Sequence, residues 1–143
     1  MKKAVLLITL TLLSLSQMTF SQSVEKPWVK RPIPGMKLTG AYMTIKNPSS
    51  KDIYLIDVKG EDAEFYEIHT HEKINGVMKM RQIKKLRIPA KGSVTLKPKS
   101  FHIMLIQLKK GRLSPKATKT NLTLIFDNKE KVTIEASILK ASL

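Results

Sequence analysis

Two imidazoles and two thioethers stand in a chain that holds no cysteine: His69, Met80, His102 and Met104. Thioether sulfur is a soft ligand and imidazole an intermediate one. Together they favour copper, Cu(I) above all, over magnesium, calcium or manganese. Neither group is a thiolate, so the set keeps its donors where a free thiol would be oxidised. These residue types point to a copper-binding protein that works outside the reducing cytosol.

Side chains alternate between the faces of a strand, so residues two apart share a face. His102 and Met104 have that spacing in Phe101-His-Ile-Met-Leu-Ile106, and so do His69 with His71 and Met78 with Met80. Asn75-Gly76 between two β-type runs is a strong hairpin signal. A two-residue turn there pairs Ile74 with Val77, which puts His71 opposite Met80 and His69 diagonal to it. Directly opposed residues lie about 5 Å apart and diagonal ones about 7–8 Å apart, so either histidine can share an ion with Met80. The hairpin alone slightly favours His71. A lone methionine in a strand is usually core filler, and Met36 and Met43 read that way, one in a proline-rich leader and one in an apolar run. Met78 is harder to dismiss, since it shares a face with Met80. It is the clustering of the other donors that speaks for a metal.

Short β-type runs broken by turn residues supply the frame: 41–45, 53–58, 65–71, 77–83, 93–96, 102–108, 121–126 and 131–138. No segment keeps a helical period over several turns. Regularly spaced short strands predict one all-β domain, a sandwich or barrel, over residues 38–143. Residues 24–37 contain Pro27, Pro32, Pro34 and Gly35 and are expected to form an extended leader without regular structure. Before them, Lys2 and Lys3, an apolar stretch over 4–15 and a small-residue exit at Ser21-Gln22-Ser23 read as a secretory signal over 1–23. The stretch is shorter than the roughly 20 apolar residues of a membrane span. Without a cysteine it offers no site for a lipoprotein anchor. Removing Lys2 and Lys3 leaves 24 basic against 11 acidic residues, a net charge of +13. That charge speeds encounter with acidic protein patches or an anionic membrane surface. Export and the few, scattered aromatics argue against nucleic acid as the partner.

The spacing from His69 is ten intervening residues to Met80, twenty-one to His102 and one to Met104. This resembles the His-x10-Met-x21-His-x-Met signature of the periplasmic copper chaperone family PCuAC, associated with the CuA centre of cytochrome c oxidase. Further stretches resemble it too: Trp28 to Pro34, Gly40-Ala-Tyr-Met-Thr-Ile-Lys-Asn47, Glu67-Ile-His-Thr-His71, Gly76-Val-Met-Lys-Met80 and Phe101-His-Ile-Met-Leu105. The resemblance implies a cupredoxin-like Greek-key sandwich in the periplasm that binds one Cu(I) through His69, Met80, His102 and Met104. It selects His69 over His71, which a bulge or a wider turn in the hairpin would reconcile with the pairing; His71 and Met78 stay as alternative or auxiliary ligands. The implied partner is a copper acceptor, either the oxidase's copper-bearing subunit or a thiol-containing assembly factor. The histidines are also candidate ligands for Cu(II). A blue-copper electron carrier would need a cysteine. No serine or carboxylate motif surrounds the histidines, so no enzyme is expected. The alternative is a metal-free basic β-sandwich that binds an anionic partner or membrane surface.

Overall fold

A computed structural model describes residues 21–140. The described residues form ten strands and no helix: β1 Ser23–Lys30, β2 Leu38–Asn47, β3 Ile53–Gly60, β4 Ala63–Ile74, β5 Val77–Gln82, β6 Leu86–Ile88, β7 Gly92–Leu96, β8 His102–Leu108, β9 Lys119–Phe126 and β10 Lys131–Leu139. They follow one hydrogen-bonded path, β5-β4-β8-β2-β1-β10-β9-β3-β6, with β7 attached to β2. Ile68, Ile103, Ala41 and Ile45 from one half of that path share a single apolar cluster with Leu55, Ile88, Leu122, Leu124 and Phe126 from the other. The path therefore folds over on itself around one core. This is the expected all-β, cupredoxin-like sandwich.

Period-two alternation builds the core. In β9, Leu122, Leu124 and Phe126 are buried, while Thr123 faces outward and hydrogen-bonds Thr133 of β10 at 3.0 Å. Two strands break the alternation: in β2 and β8 consecutive residues are buried. Ile103 and Leu105 of β8 belong to the core, so His102 and Met104 must point to the opposite face, and that face is covered as well.

The leader differs from expectation. Its first half is β1, paired antiparallel with β2 and parallel with β10. Pro27 reads as a breaker, but it lies at a shift of register between Glu25 and Trp28, where Lys26 takes φ 48°. A proline without a ladder N–H is tolerated at such a bulge, and Val29 beyond it is fully buried. The domain thus includes β1 and does not begin at residue 38. Within the leader, residues 31–37 lack regular structure. The signal segment lies almost wholly outside the described residues.

Asn47 closes β2 from inside the core at 1 % exposure. Its amide nitrogen donates to the Lys51 carbonyl at 2.8 Å and the Ile88 carbonyl at 3.1 Å, and its oxygen accepts from the Ser49 backbone N–H at 3.0 Å and the Ser49 hydroxyl at 2.7 Å. One side chain thereby satisfies the turn after β2 and ties it to β6. Asn47→Ala strands these groups and is expected to cost about 2–4 kcal/mol in urea unfolding. A loss below about 1 kcal/mol would show that water replaces the side chain at no cost.

Candidate metal centre

Strand register decides which donors meet. The β4–β5 hairpin turns on Asn75 (φ 50°) and Gly76 (φ 80°), the doubly positive pair of a two-residue turn that suits strand twist. Ile74 pairs with Val77 and His71 with Met80, as the sequence pattern requires, while His69 pairs with Gln82. The bulge or wider turn that would have brought His69 opposite Met80 is absent from this register. On its other edge β4 pairs with β8, where His69 faces His102 and Glu67 faces Met104. Glu67, His69, His71, Met80, His102 and Met104 therefore share one face of three adjacent strands.

The three imidazoles lie close together. Ring centroids of His71 and His69 are 5.3 Å and 5.7 Å from that of His102. Their hydrogen bonds fix the tautomers. The Ser100 carbonyl can only accept, and it meets Nδ1 of His102 at 2.8 Å and Nδ1 of His71 at 3.2 Å. Both rings then carry the proton on Nδ1 and keep the lone pair on Nε2. His69 is oriented the other way round. Its Nε2 lies 2.7 Å from the Glu67 carboxylate, and its Nδ1 is buried with no partner. A carbonyl or carboxylate behind a ring, with the second nitrogen free, is the arrangement that holds a metal-binding imidazole in position.

His71, Met80, His102 and Met104 line a cleft of about 240 Å³, together with Tyr42, which stacks on Trp28 at 4.4 Å. His102 and Met104 form its floor at 3 % and 8 % exposure, and Met80 is half exposed at its rim. His69 lies beside this floor and is not part of the lining. Met78 shares the Met80 face but is exposed at 55 % and stays outside the cleft. Met43 is core filler, as expected. Met36, expected like Met43 to be filler, lines the cleft instead. The Pro34-Gly35 turn signature before it was the available signal, but nothing local to it shows where the leader folds back. For Glu67 the signal is local: Glu67-Ile-His69 in a strand puts both side chains on one face.

Chemically the cleft is narrow in its options. Its charged lining residues are Lys30, Arg31 and Lys99, without a carboxylate. Hard cations such as calcium and magnesium are held chiefly by carboxylates, and the lining offers none. Among the described residues no three His, Asp or Glu side chains could hold an ion by themselves. An ion held at this face by three or more of the histidine and methionine side chains therefore includes a thioether.

The sequence matches the family described as "Putative lipoprotein LpqE-like" over residues 23–138, and the chain belongs to that family. A protein of Leifsonia xyli subsp. xyli (strain CTCB07), named "Putative lipoprotein Lxx21020", is 34% identical over 87 residues, covering 60% of this chain and 51% of that one. The chain thus spans about half the length of this curated relative. Among solved structures, the apo PCuAC domain from PmoF1 superposes with a TM-score of 0.70 at 27% identity, covering 84% of this chain and 94% of that one. The solution structure of Cu(I)-bound DR1885 from Deinococcus radiodurans superposes with a TM-score of 0.62 at 28% identity, covering 83% and 76%.

Burial, and then the neighbouring His71 and His69, hold the His102 pKa below the ordinary 6.5 against the raising effect of the Ser100 carbonyl. A depressed imidazole means that the unfolded chain binds more protons than the folded one between the two pKa values. The contribution of this group to stability is then complete above 6.5 and is lost as pH falls through the folded value. The metal-free protein should have a lower urea midpoint at about pH 5 than at about pH 7.5, and His102→Leu should shrink that difference. An equal difference in both proteins would contradict the assignment.

Proposed function

We propose that this protein is an exported copper chaperone that carries one Cu(I) between β4, β5 and β8 and passes it to an acceptor by ligand exchange. The observation that carries this reading is the convergence of Met80, Met104, His102 and His71 on one cleft without a thiolate or carboxylate in its lining, with His69 beside its floor. The resting ligands are His69, Met80, His102 and Met104, with His71 as an auxiliary at the cleft. His69 offers a buried Nδ1 with no other partner, and His102 a free Nε2 on the floor. The structural likeness to Cu(I)-bound DR1885 supports the choice of ion, and the lipoprotein names of family and relative support export.

Neutral ligands in a cationic cleft leave the charge of the ion uncompensated. A monovalent ion suffers less from that than a divalent one, which favours Cu(I) and keeps binding reversible. Cu(I) tolerates three or four soft ligands without strict geometry, so acceptor ligands can displace the imidazoles and thioethers one at a time. No substrate bond is made or broken, and the protein is a carrier and not a catalyst. The acceptor in this reading is a copper-requiring protein of the same compartment, such as the copper-bearing subunit of an oxidase or a thiol-containing assembly factor. The excess of basic residues, 26 against 11 in the full chain, steers it to an acidic partner face.

Titration of Cu(I) against a colorimetric chelator is expected to give one tight equivalent. A Met80→Ala, His102→Ala double variant, folded by circular dichroism, should lose it. His69→Ala should weaken binding more than His71→Ala does, each by at least about tenfold for a true ligand. Failure of the wild-type protein to compete with the chelator would overturn the copper reading.

A further inference from the structure

Residues 31–37 cross the cleft as a strap held at both ends. The Arg31 guanidinium donates to the carbonyls of Ser114 at 3.0 Å, Pro115 at 3.1 Å, Ala117 at 3.0 Å and Ile138 at 3.4 Å, and the Arg31 N–H donates to the Leu139 carbonyl at 2.7 Å. At the other end the Leu108 N–H donates to the Lys37 carbonyl at 2.9 Å, and the Thr39 hydroxyl bonds the Lys30 carbonyl at 2.5 Å. Between these anchors Pro34 and Gly35 (φ 85°) form a turn closed by the Met36 N–H on the Ile33 carbonyl at 2.9 Å. Proline at the first central position and a positive-φ glycine at the second fix this turn type. Little freedom remains for the residue that follows it.

That residue is Met36. It lines the same cleft as Met80 and Met104 and is 49 % exposed. An apolar side chain placed half in water on a rigid strap gains little from burial. As a soft donor it gains much, because the floor offers thioether and imidazole from below and leaves the solvent side of an ion uncovered. Methionine is unbranched with three rotatable bonds, so its sulfur can swing toward such an ion.

We propose that Met36 is a third thioether ligand, which caps the Cu(I) from the solvent side. The inference rests on the Cu(I) reading above and adds a donor outside the four-residue signature. Ligation here is a donor–acceptor bond from sulfur to copper and involves no change of oxidation state.

The test is a methyl correlation spectrum of protein labelled with [13C-methyl]methionine, recorded while Cu(I) is added under reducing conditions. The methyl signals of Met36, Met80 and Met104 should all shift and saturate at one equivalent, while that of Met43 in the core stays in place. Met36→Leu, a volume-conserving change at a half-exposed position, should leave the stoichiometry intact and lower the affinity by about tenfold. Shifts at Met80 and Met104 with Met36 unmoved would overturn the cap and leave the chaperone reading standing. No shift at any of the three would remove both.

Discussion

β8 carries the constraint on which the rest depends. A strand in the interior of a sheet normally shows one face to the core and one to water, yet His102 through Leu105 are all buried. Ile103 and Leu105 anchor the strand in the apolar cluster, and the same pleat then drives His102 and Met104 to the other side. That side is covered by Tyr42 of β2, which is backed by Trp28 of β1, and by residues of the 31–37 segment. Burying an imidazole there carries a desolvation cost, which the Ser100 carbonyl offsets in part by holding Nδ1–H. Core packing and site geometry are therefore one problem. A change that shifts β8 by a residue would put the histidine in the core and an isoleucine in the cleft.

Much of this frame is legible in the residues themselves. The run from His102 to Leu108 matches β8 because turn residues bound it on both sides, and Asn75-Gly76 sets the hairpin register without help from the rest of the fold. β1 escapes a local reading because Pro27 looks like a breaker until the bulge that accommodates it is known. β6, three residues long, is too short for alternation to register. The strap is invisible for a different reason. Arg31 holds it to carbonyls that are 83 to 107 residues away in sequence, and no periodicity encodes contacts at that range. Met36 is thus a leader residue in the sequence and a cleft residue in the fold.

The histidines show where sequence and geometry complement each other. Spacing resembles a known signature through His69, whereas strand pairing sets His71 against Met80. The fold places both rings near His102 and separates them by their hydrogen-bond partners, a carboxylate behind His69 and a backbone carbonyl behind His71. An ion held mainly by neutral donors beside Lys30, Arg31 and Lys99 is bound by ligand softness and not by charge. In the proposed function that balance is what lets a carrier release its cargo.

The most direct measurement is copper K-edge X-ray absorption of the protein loaded with one equivalent of Cu(I). The account predicts a reduced-copper edge with a mixed shell of imidazole nitrogen and thioether sulfur, and a drop in the sulfur contribution in Met80→Ala. A shell of nitrogen and oxygen alone, unchanged by that substitution, would contradict it.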